Sequence, residues 1–242
     1  VKKVSIMWNP WHGCHKVSEG CKNCYVYRQD YYYEKNSSKV TKNSMYDLPI
    51  RCNKNGEYKI HPGETVNTCF TSDFLLEDAD KWRPEVWRMI KKRSDLDFFF
   101  ITKRPERFFV GLPDDWGNGY ENVTVACTVE NQRMADYRLP TFLHLPIKHK
   151  SIAVSPLLEM IDLTRYLGPA VKMVAVGGES GANARICDFK WVLDIRSQCI
   201  ENKVSFCYHQ TGSKLLKDGK IYNTPRNFHH SQARLSGIDF EI

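Results

Sequence analysis

The chain lacks any run of about 18 apolar residues, so no stretch of it reads as a membrane-spanning helix. Its first residues also lack the charged region, apolar stretch and small-residue cleavage site of a secretory signal. These absences point to a cytoplasmic protein with no membrane partner. No lysine- or arginine-rich block occurs beyond Lys91-Lys92-Arg93, whose simplest reading is the solvated end of a helix. The Gly-x-Gly-x-x-Gly pattern is missing after the first strand, which argues against a dinucleotide-binding sheet. Cysteine, by contrast, is plentiful, with nine residues in 242. An odd number without a secretory signal disfavours a disulfide framework. Six of the nine (Cys52, Cys69, Cys127, Cys187, Cys199 and Cys207) are scattered, mostly in apolar runs, as buried thiols would be.

A hydrophobic content of 42% suffices for a substantial core, and the length suits one α/β domain over residues 1–242. The net charge of +7, from 35 basic and 28 acidic residues, gives a modest attraction for nucleic acid or a phosphorylated substrate.

From residue 67 onward, short apolar runs rich in β-formers alternate with amphipathic segments of helical length. The strands expected are 67–72, 97–102, 123–128, 150–155, 171–176 and 204–208, with another at 4–8. The intervening helical segments are 83–93, 104–110, 131–142, a short piece near Leu163, and 189–202. Residues 25–34 form a further candidate helix. Residues 35–66 read as a polar insertion, and 213–242 as an irregular C-terminal extension. Strands apolar on both faces and alternating with helices predict a parallel α/β sheet, preferably a complete or partial (β/α) barrel.

In such a sheet ligands bind at the carboxyl ends of the strands. Polar residues follow every expected strand: Asp73, Lys103 with Arg104, Glu130 with Asn131, Ser155, Gly177-Gly178-Glu179-Ser180-Gly181, and His209 with Gln210. The glycine-rich segment is both a strand-to-helix turn and a source of exposed backbone amides for a ligand. After the first strand come Cys14, Cys21 and Cys24. Three thiolates are one short of a closed structural zinc site, so they leave a metal or an iron–sulfur cluster an open position. His12 and His15 offer a fourth protein ligand, and a zinc-binding nucleic-acid adaptor is the alternative reading. A third is an iron–sulfur electron-transfer or sensory protein.

The triplet resembles the signature of radical S-adenosylmethionine enzymes, with a longer first spacing: Cys-x6-Cys-x2-Cys in place of Cys-x3-Cys-x2-Cys. More of the chain resembles the phage Gp37/Gp68 family (DUF5131), regarded as radical-S-adenosylmethionine-like. The matching segments are Trp8-Asn-Pro, Gly-Cys14 with Gly-Cys21-x-x-Cys24-Tyr25, Thr102-Lys-Arg-Pro105, Val129-Glu-Asn131 with Arg133, Ser155-Pro-Leu-Leu158, Val176-Gly-Gly-Glu-Ser-Gly181 with Arg185, and Gln210-Thr-Gly212. Ser155 and His209 stand where that family usually has glutamate and lysine.

The resemblance implies an enzyme on a partial α/β barrel in which Cys14, Cys21 and Cys24 hold a [4Fe–4S] cluster. S-adenosylmethionine would chelate the fourth iron and be cleaved to a 5′-deoxyadenosyl radical, with a donor such as flavodoxin or ferredoxin supplying the electron. Gly177, Gly178, Glu179 and Ser180 are expected to contact the cofactor, joined by Lys103, Arg104, Glu130, Ser155 and Arg185. Asp73 and His209 are the candidate catalytic residues, His209 exchanging a proton near neutral pH. A nucleic acid or nucleotide is the expected substrate class. Tyr31, Tyr32, Tyr33, Trp8 and Trp11 are candidates to stack on bases, although aromatics beside such a loop more often pack it.

Overall fold

A computed structural model describes residues 5–242. In chain order its elements are β1 (Ser5–Trp8), β2 (Trp11–His12), α1 (Tyr25–Tyr32), β3 (Thr41–Lys42), β4 (Thr65–Thr68), α2 (Arg83–Lys92), β5 (Asp97–Thr102), β6 (Val123–Thr128), α3 (Gln132–His144), β7 (His149–Val154), β8 (Val171–Gly177), β9 (Cys187–Asp188), α4 (Phe189–Glu201), β10 (Ser205–Gln210), β11 (Lys214–Lys217), β12 (Lys220–Asn223) and α5 (His229–Leu235). Position 4 of the first expected strand lies outside the described residues.

Seven strands form one sheet in the order β1-β4-β5-β6-β7-β8-β10, with parallel pairing at β1–β4, β4–β5, β7–β8 and β8–β10. The fold is therefore mixed α/β. Each step of the order follows the chain, without the reversal of a doubly wound sheet. It is the order of a (β/α) barrel wall, partial because β1 and β10 stand at its two ends. Among the described residues, no helix is long and apolar enough to cross a membrane.

The chain packs as two compact units, one made of residues 5–15, 29–126 and 145–149 and the other of 16–28, 127–144 and 150–242. In the first unit an aromatic cluster fills the core. Phe74 stacks on Phe100 at 4.2 Å between centroids, and Trp87 meets Phe74 at 4.8 Å and Trp116 at 4.9 Å. Strand β4 stops at Thr68 because Cys69 takes φ +65°, a conformation that breaks a ladder. The segment after Arg104 makes only a single 3-10 turn, Pro105–Arg107. Gly111, at φ +70°, and Pro113 end it before a helix can form. Of Lys91-Lys92-Arg93 only the lysines are solvated. The Arg93 guanidinium is buried, donating to the carbonyls of Pro49 and Ile60 and to Asp95, and so pins the polar insertion.

In the second unit, α4 starts at Asp188, whose side chain accepts the Lys190 N–H as an N-cap. The C-terminal segment is more ordered than expected. Asp218 and Gly219, at φ +51° and +74°, form the two-residue turn joining β11 to β12, and α5 follows.

Candidate functional site

In the first unit the chain turns at Gly13 after β2. At φ +97° a Cβ there would lie 2.7 Å from the Lys39 carbonyl, so glycine is required. Cys14 then donates its N–H to Ser37 O at 2.8 Å. From the end of β5, the buried Arg104 guanidinium reaches the same loop. Its Nη1 donates to Asp73 Oδ2 at 3.1 Å and stands 3.9 Å from Cys14 Sγ, while Nη2 donates to His15 O at 2.8 Å. Burial alone would lower the Arg104 pKa, but the charges of Asp73 and Cys14 outweigh it and raise it above the ordinary value. The Cys14 sulfur thus has a permanent cation beside it.

Asp73 is fully engaged. Its Oδ1 accepts from Leu75 N–H and Thr102 Oγ1, and its Oδ2 accepts from Lys103 N–H as well as Arg104. The carboxylate therefore shapes the turn after β5 and aims Arg104. The Lys103 ammonium makes no ion pair among the described residues. His12 Nε2 pairs with both oxygens of Asp30, at 2.9 and 2.8 Å, and Asp30 also accepts from Ser37 Oγ at 2.6 Å. Burial opposes ionisation of Asp30, yet the Ser37 and His12 hydrogen bonds hold its pKa below the usual value. His15 Nε2 lies 3.0 Å from Asp78 at the surface.

In the second unit the loop carrying Cys21 and Cys24 is gripped at several points. Gly20 N–H donates to Glu130 Oε1 at 3.3 Å, and a Cβ at Gly20 would fall 2.9 Å from that carboxyl carbon. Glu130 Oε2 accepts from Arg138 Nη1 at 2.7 Å, with both side chains buried. Asn23, between the two cysteines, donates to Glu179 Oε2 at 2.9 Å and to Asn183 O at 2.8 Å. Arg185 binds both Glu179 oxygens and reaches Glu19 O at 3.0 Å. Burial opposes the Glu179 charge, but hydrogen bonds from Arg185 and Asn23 prevail and lower its pKa. From α1, Arg28 donates to Asn23 O at 3.0 Å and to Ser180 O.

The glycines after β8 serve close packing. A Cβ on Gly177 would lie 2.4 Å from His209 Nε2, and one on Gly178 would lie 2.3 Å from Thr211 O. His209 Nε2 is 3.2 Å from Ser155 Oγ. Burial, with the nearby His230 charge, pushes the His209 pKa down to about 4, so the ring is neutral at pH 7 and titrates well below the range expected from sequence.

The three loop thiols share their half-burial only with Cys207, whose pKa burial raises to about 11. None of the nine cysteines is in a disulfide, and Cys14, Cys21 and Cys24 are half-buried. Cys69, Cys127, Cys187 and Cys199 are buried, with burial raising Cys187 and Cys199 to about 12; Cys52 is exposed, against expectation. Cys14 belongs to the first unit, and Cys21 and Cys24 to the second. Among the described residues no group of three His, Cys, Asp or Glu side chains is gathered to hold a metal ion.

A family model described as "Protein of unknown function (DUF5131)" matches residues 1–236. The chain belongs to the DUF5131 family. No curated protein and no solved structure matches it.

In this DUF5131 member the strand-end residues fall into two groups. Asp73, Arg104, Glu130, Glu179 and Arg185 have their polar atoms turned to neighbouring protein groups. Lys103, Ser155 and the solvent-facing Arg133 keep capacity for a ligand. Sequence reasoning missed Asn23, Arg28 and Arg138, although Asn23 lies inside the Cys-x2-Cys pair and Arg28 one helical turn after Cys24. Trp8 and Trp11 are fully buried and pack the core, while Tyr31, Tyr32 and Tyr33 are exposed.

Proposed function

We propose that this DUF5131 protein is a radical S-adenosylmethionine-type enzyme whose Cys14, Cys21 and Cys24 thiolates hold a [4Fe–4S] cluster. One observation carries the reading: each chain segment bearing these half-buried thiols is fixed by a buried charged pair from a strand end, joined for residues 19–24 by a second, partly exposed pair. Arg104–Asp73 holds the Cys14 segment, and Glu130–Arg138 with Glu179–Arg185 holds residues 19–24. Loops whose backbone is fixed by ion pairs, with the Arg104 cation 3.9 Å from the Cys14 sulfur, suit thiolate donors. The donor set fits a soft iron–sulfur centre, being three thiols outside any disulfide within one short stretch.

When bound, such a cluster would supply an electron, drawn from an external donor of the flavodoxin or ferredoxin type, for the reductive cleavage of S-adenosylmethionine. The remaining work belongs to the chain. Arg104 offsets negative charge beside Cys14, and the Lys103 ammonium is free to bind an anionic group of cofactor or substrate. Neutral His209 shares a hydrogen bond with the Ser155 hydroxyl at 3.2 Å, which orients that oxygen for a ligand. A nucleic acid or nucleotide is the proposed substrate class, consistent with the positive net charge.

The rival is zinc held by the triplet and His12. Its Nε2 pairing with Asp30 is how carboxylates orient ligating imidazoles, leaving Nδ1 for a metal. Anaerobic reconstitution with iron and sulfide separates the readings. The enzyme predicts a brown protein absorbing near about 400 nm, roughly four irons per chain, and an electron paramagnetic resonance signal changed by S-adenosylmethionine. A colourless protein holding one zinc refutes it, and a cluster indifferent to S-adenosylmethionine assigns an electron-transfer or sensory role instead.

A further inference from the structure

Segment 213–234 carries five lysines and arginines against a single acid, Asp218. No ion pair neutralises any of the five among the described residues. Two of them, Lys214 and Arg226, line a cleft of about 420 Å³ together with Gly181, Ala182, Ser213 and Pro225. That volume falls within the range of about 300–1,000 Å³ typical of small-molecule sites.

The floor of the cleft is built from hydrogen bonds. Ser213 N–H donates to Glu179 O at 2.8 Å, and Gly181 N–H donates to Ser213 Oγ at 2.8 Å. Thr224 N–H donates to Ser213 O at 2.9 Å, and the buried His229 ring meets Thr224 O through Nε2 at 2.9 Å. Gly181 sits at φ +110°, where a Cβ would strike the Arg28 guanidinium at 2.3 Å, so the wall cannot carry a side chain there. The cleft is open to solvent, its floor is fixed by these hydrogen bonds, and Lys214 and Arg226 at its rim have no ion-pair partner among the described residues.

We infer that this cleft binds a phosphate ester of nucleotide size, with Lys214 and Arg226 on the phosphate and the faces of Ala182 and Pro225 against the less polar remainder. Two cations match the dianion of a phosphate monoester better than the single charge of a carboxylate, and the planar arginine fork can pair with two of its tetrahedrally arranged oxygens. The inference uses no thiol, so it stands whether the cysteine triplet holds iron, zinc or nothing. It would give the glycine-rich turn a second face, one toward Asn23 of the cysteine loop and one toward the cleft.

Calorimetric titration of the whole protein, with and without reconstituted metal, tests it using adenosine 5′-monophosphate, adenosine and a single-stranded DNA ten-mer. Adenosine 5′-monophosphate should saturate one site, adenosine should bind at least tenfold more weakly, and Lys214→Ala/Arg226→Ala should weaken the nucleotide at least tenfold. Lys217→Ala/Lys220→Ala, with the same loss of charge on the same hairpin, should change affinity less than threefold. If only the ten-mer binds, with the same dependence on Lys214 and Arg226, the phosphate comes from a nucleic-acid strand. Equal affinity for adenosine and its monophosphate, an equal loss in both double variants, or binding by neither phosphate probe overturns the proposal. Failure of the metal reconstitution would leave it untouched.

Discussion

Replacing Glu130 with alanine should cost more stability than any surface substitution in this chain. Its carboxylate is fully buried 2.7 Å from Arg138, itself 2% exposed, so the change strands a guanidinium whose remaining acceptor is the Thr128 carbonyl. Removing one partner of a buried ion pair costs about 3–5 kcal/mol, a large share of the roughly 5–15 kcal/mol that holds a protein folded. At this chain length each kcal/mol moves the midpoint by about 2–4 °C, so Tm should fall by about 6–20 °C in thermal unfolding. The double variant Glu130→Leu/Arg138→Met removes both charges and replaces their volume, and should recover most of the loss, because apolar isosteres of buried pairs are often neutral. Gly20 N–H also loses its acceptor in Glu130→Ala, so native-state alkylation of Cys21 by iodoacetamide should quicken. A Tm drop under about 2 °C, or a double variant as unstable as the single one, would refute the reasoning.

Glu179→Ala should cost less, about 1–3 kcal/mol, since Arg185 is partly exposed and can rehydrate, yet it should free Asn23 and speed alkylation of Cys24; an unchanged rate refutes the clamp. His209 makes stability depend on pH. Its folded pKa of about 4 lies below the ordinary value of 6.5, so its contribution is complete above pH 6.5 and is lost as pH falls toward 4, up to about 3 kcal/mol. His209→Gln should flatten that slope in denaturant titrations across pH 4–7, and parallel curves for both proteins sink the assignment. Gly177→Ala should push the imidazole off Ser155 at a cost of about 1–3 kcal/mol, with the His209 pKa moving back toward its ordinary value by NMR; an unmoved pKa contradicts the packing.

Strands β5 and β6 run over the residues their apolar runs predict, and α2, α3 and α4 fall within two residues of expectation, because burial on both faces and amphipathic spacing are local signals. The misreadings come from interactions the local pattern does not hold. Residues 104–110 have helical spacing, but Arg107 donates to Leu75 O and the chain turns away at Gly111. Arg93 looks like one more solvated cation until its acceptors, 33 and 44 residues away, are known. The β11–β12 hairpin is a different case, since Asp218-Gly219 is a strong turn signal that an overall impression of irregularity obscured.

The candidate site divides in the same way. Residue type and strand-end position singled out Glu130 and Glu179, but not which way their carboxylates face, because that is decided by Gly20 and Asn23, 110 and 156 residues distant. A partial signal was present. Each acid at a strand end is followed by the arginine that neutralises it, Arg138 after Glu130 and Arg185 after Glu179; Glu130 turns its other oxygen to Gly20 of the cysteine loop, and Glu179 shares Oε2 between Arg185 and Asn23. Residues 19–24 thereby keep their conformation through protein contacts alone. In a zinc knuckle the metal itself supplies the folding energy of the loop. A loop already held by the buried Glu130–Arg138 pair and the partly exposed Glu179–Arg185 pair needs less of that energy, which favours the proposed iron–sulfur reading of its thiols over a zinc knuckle.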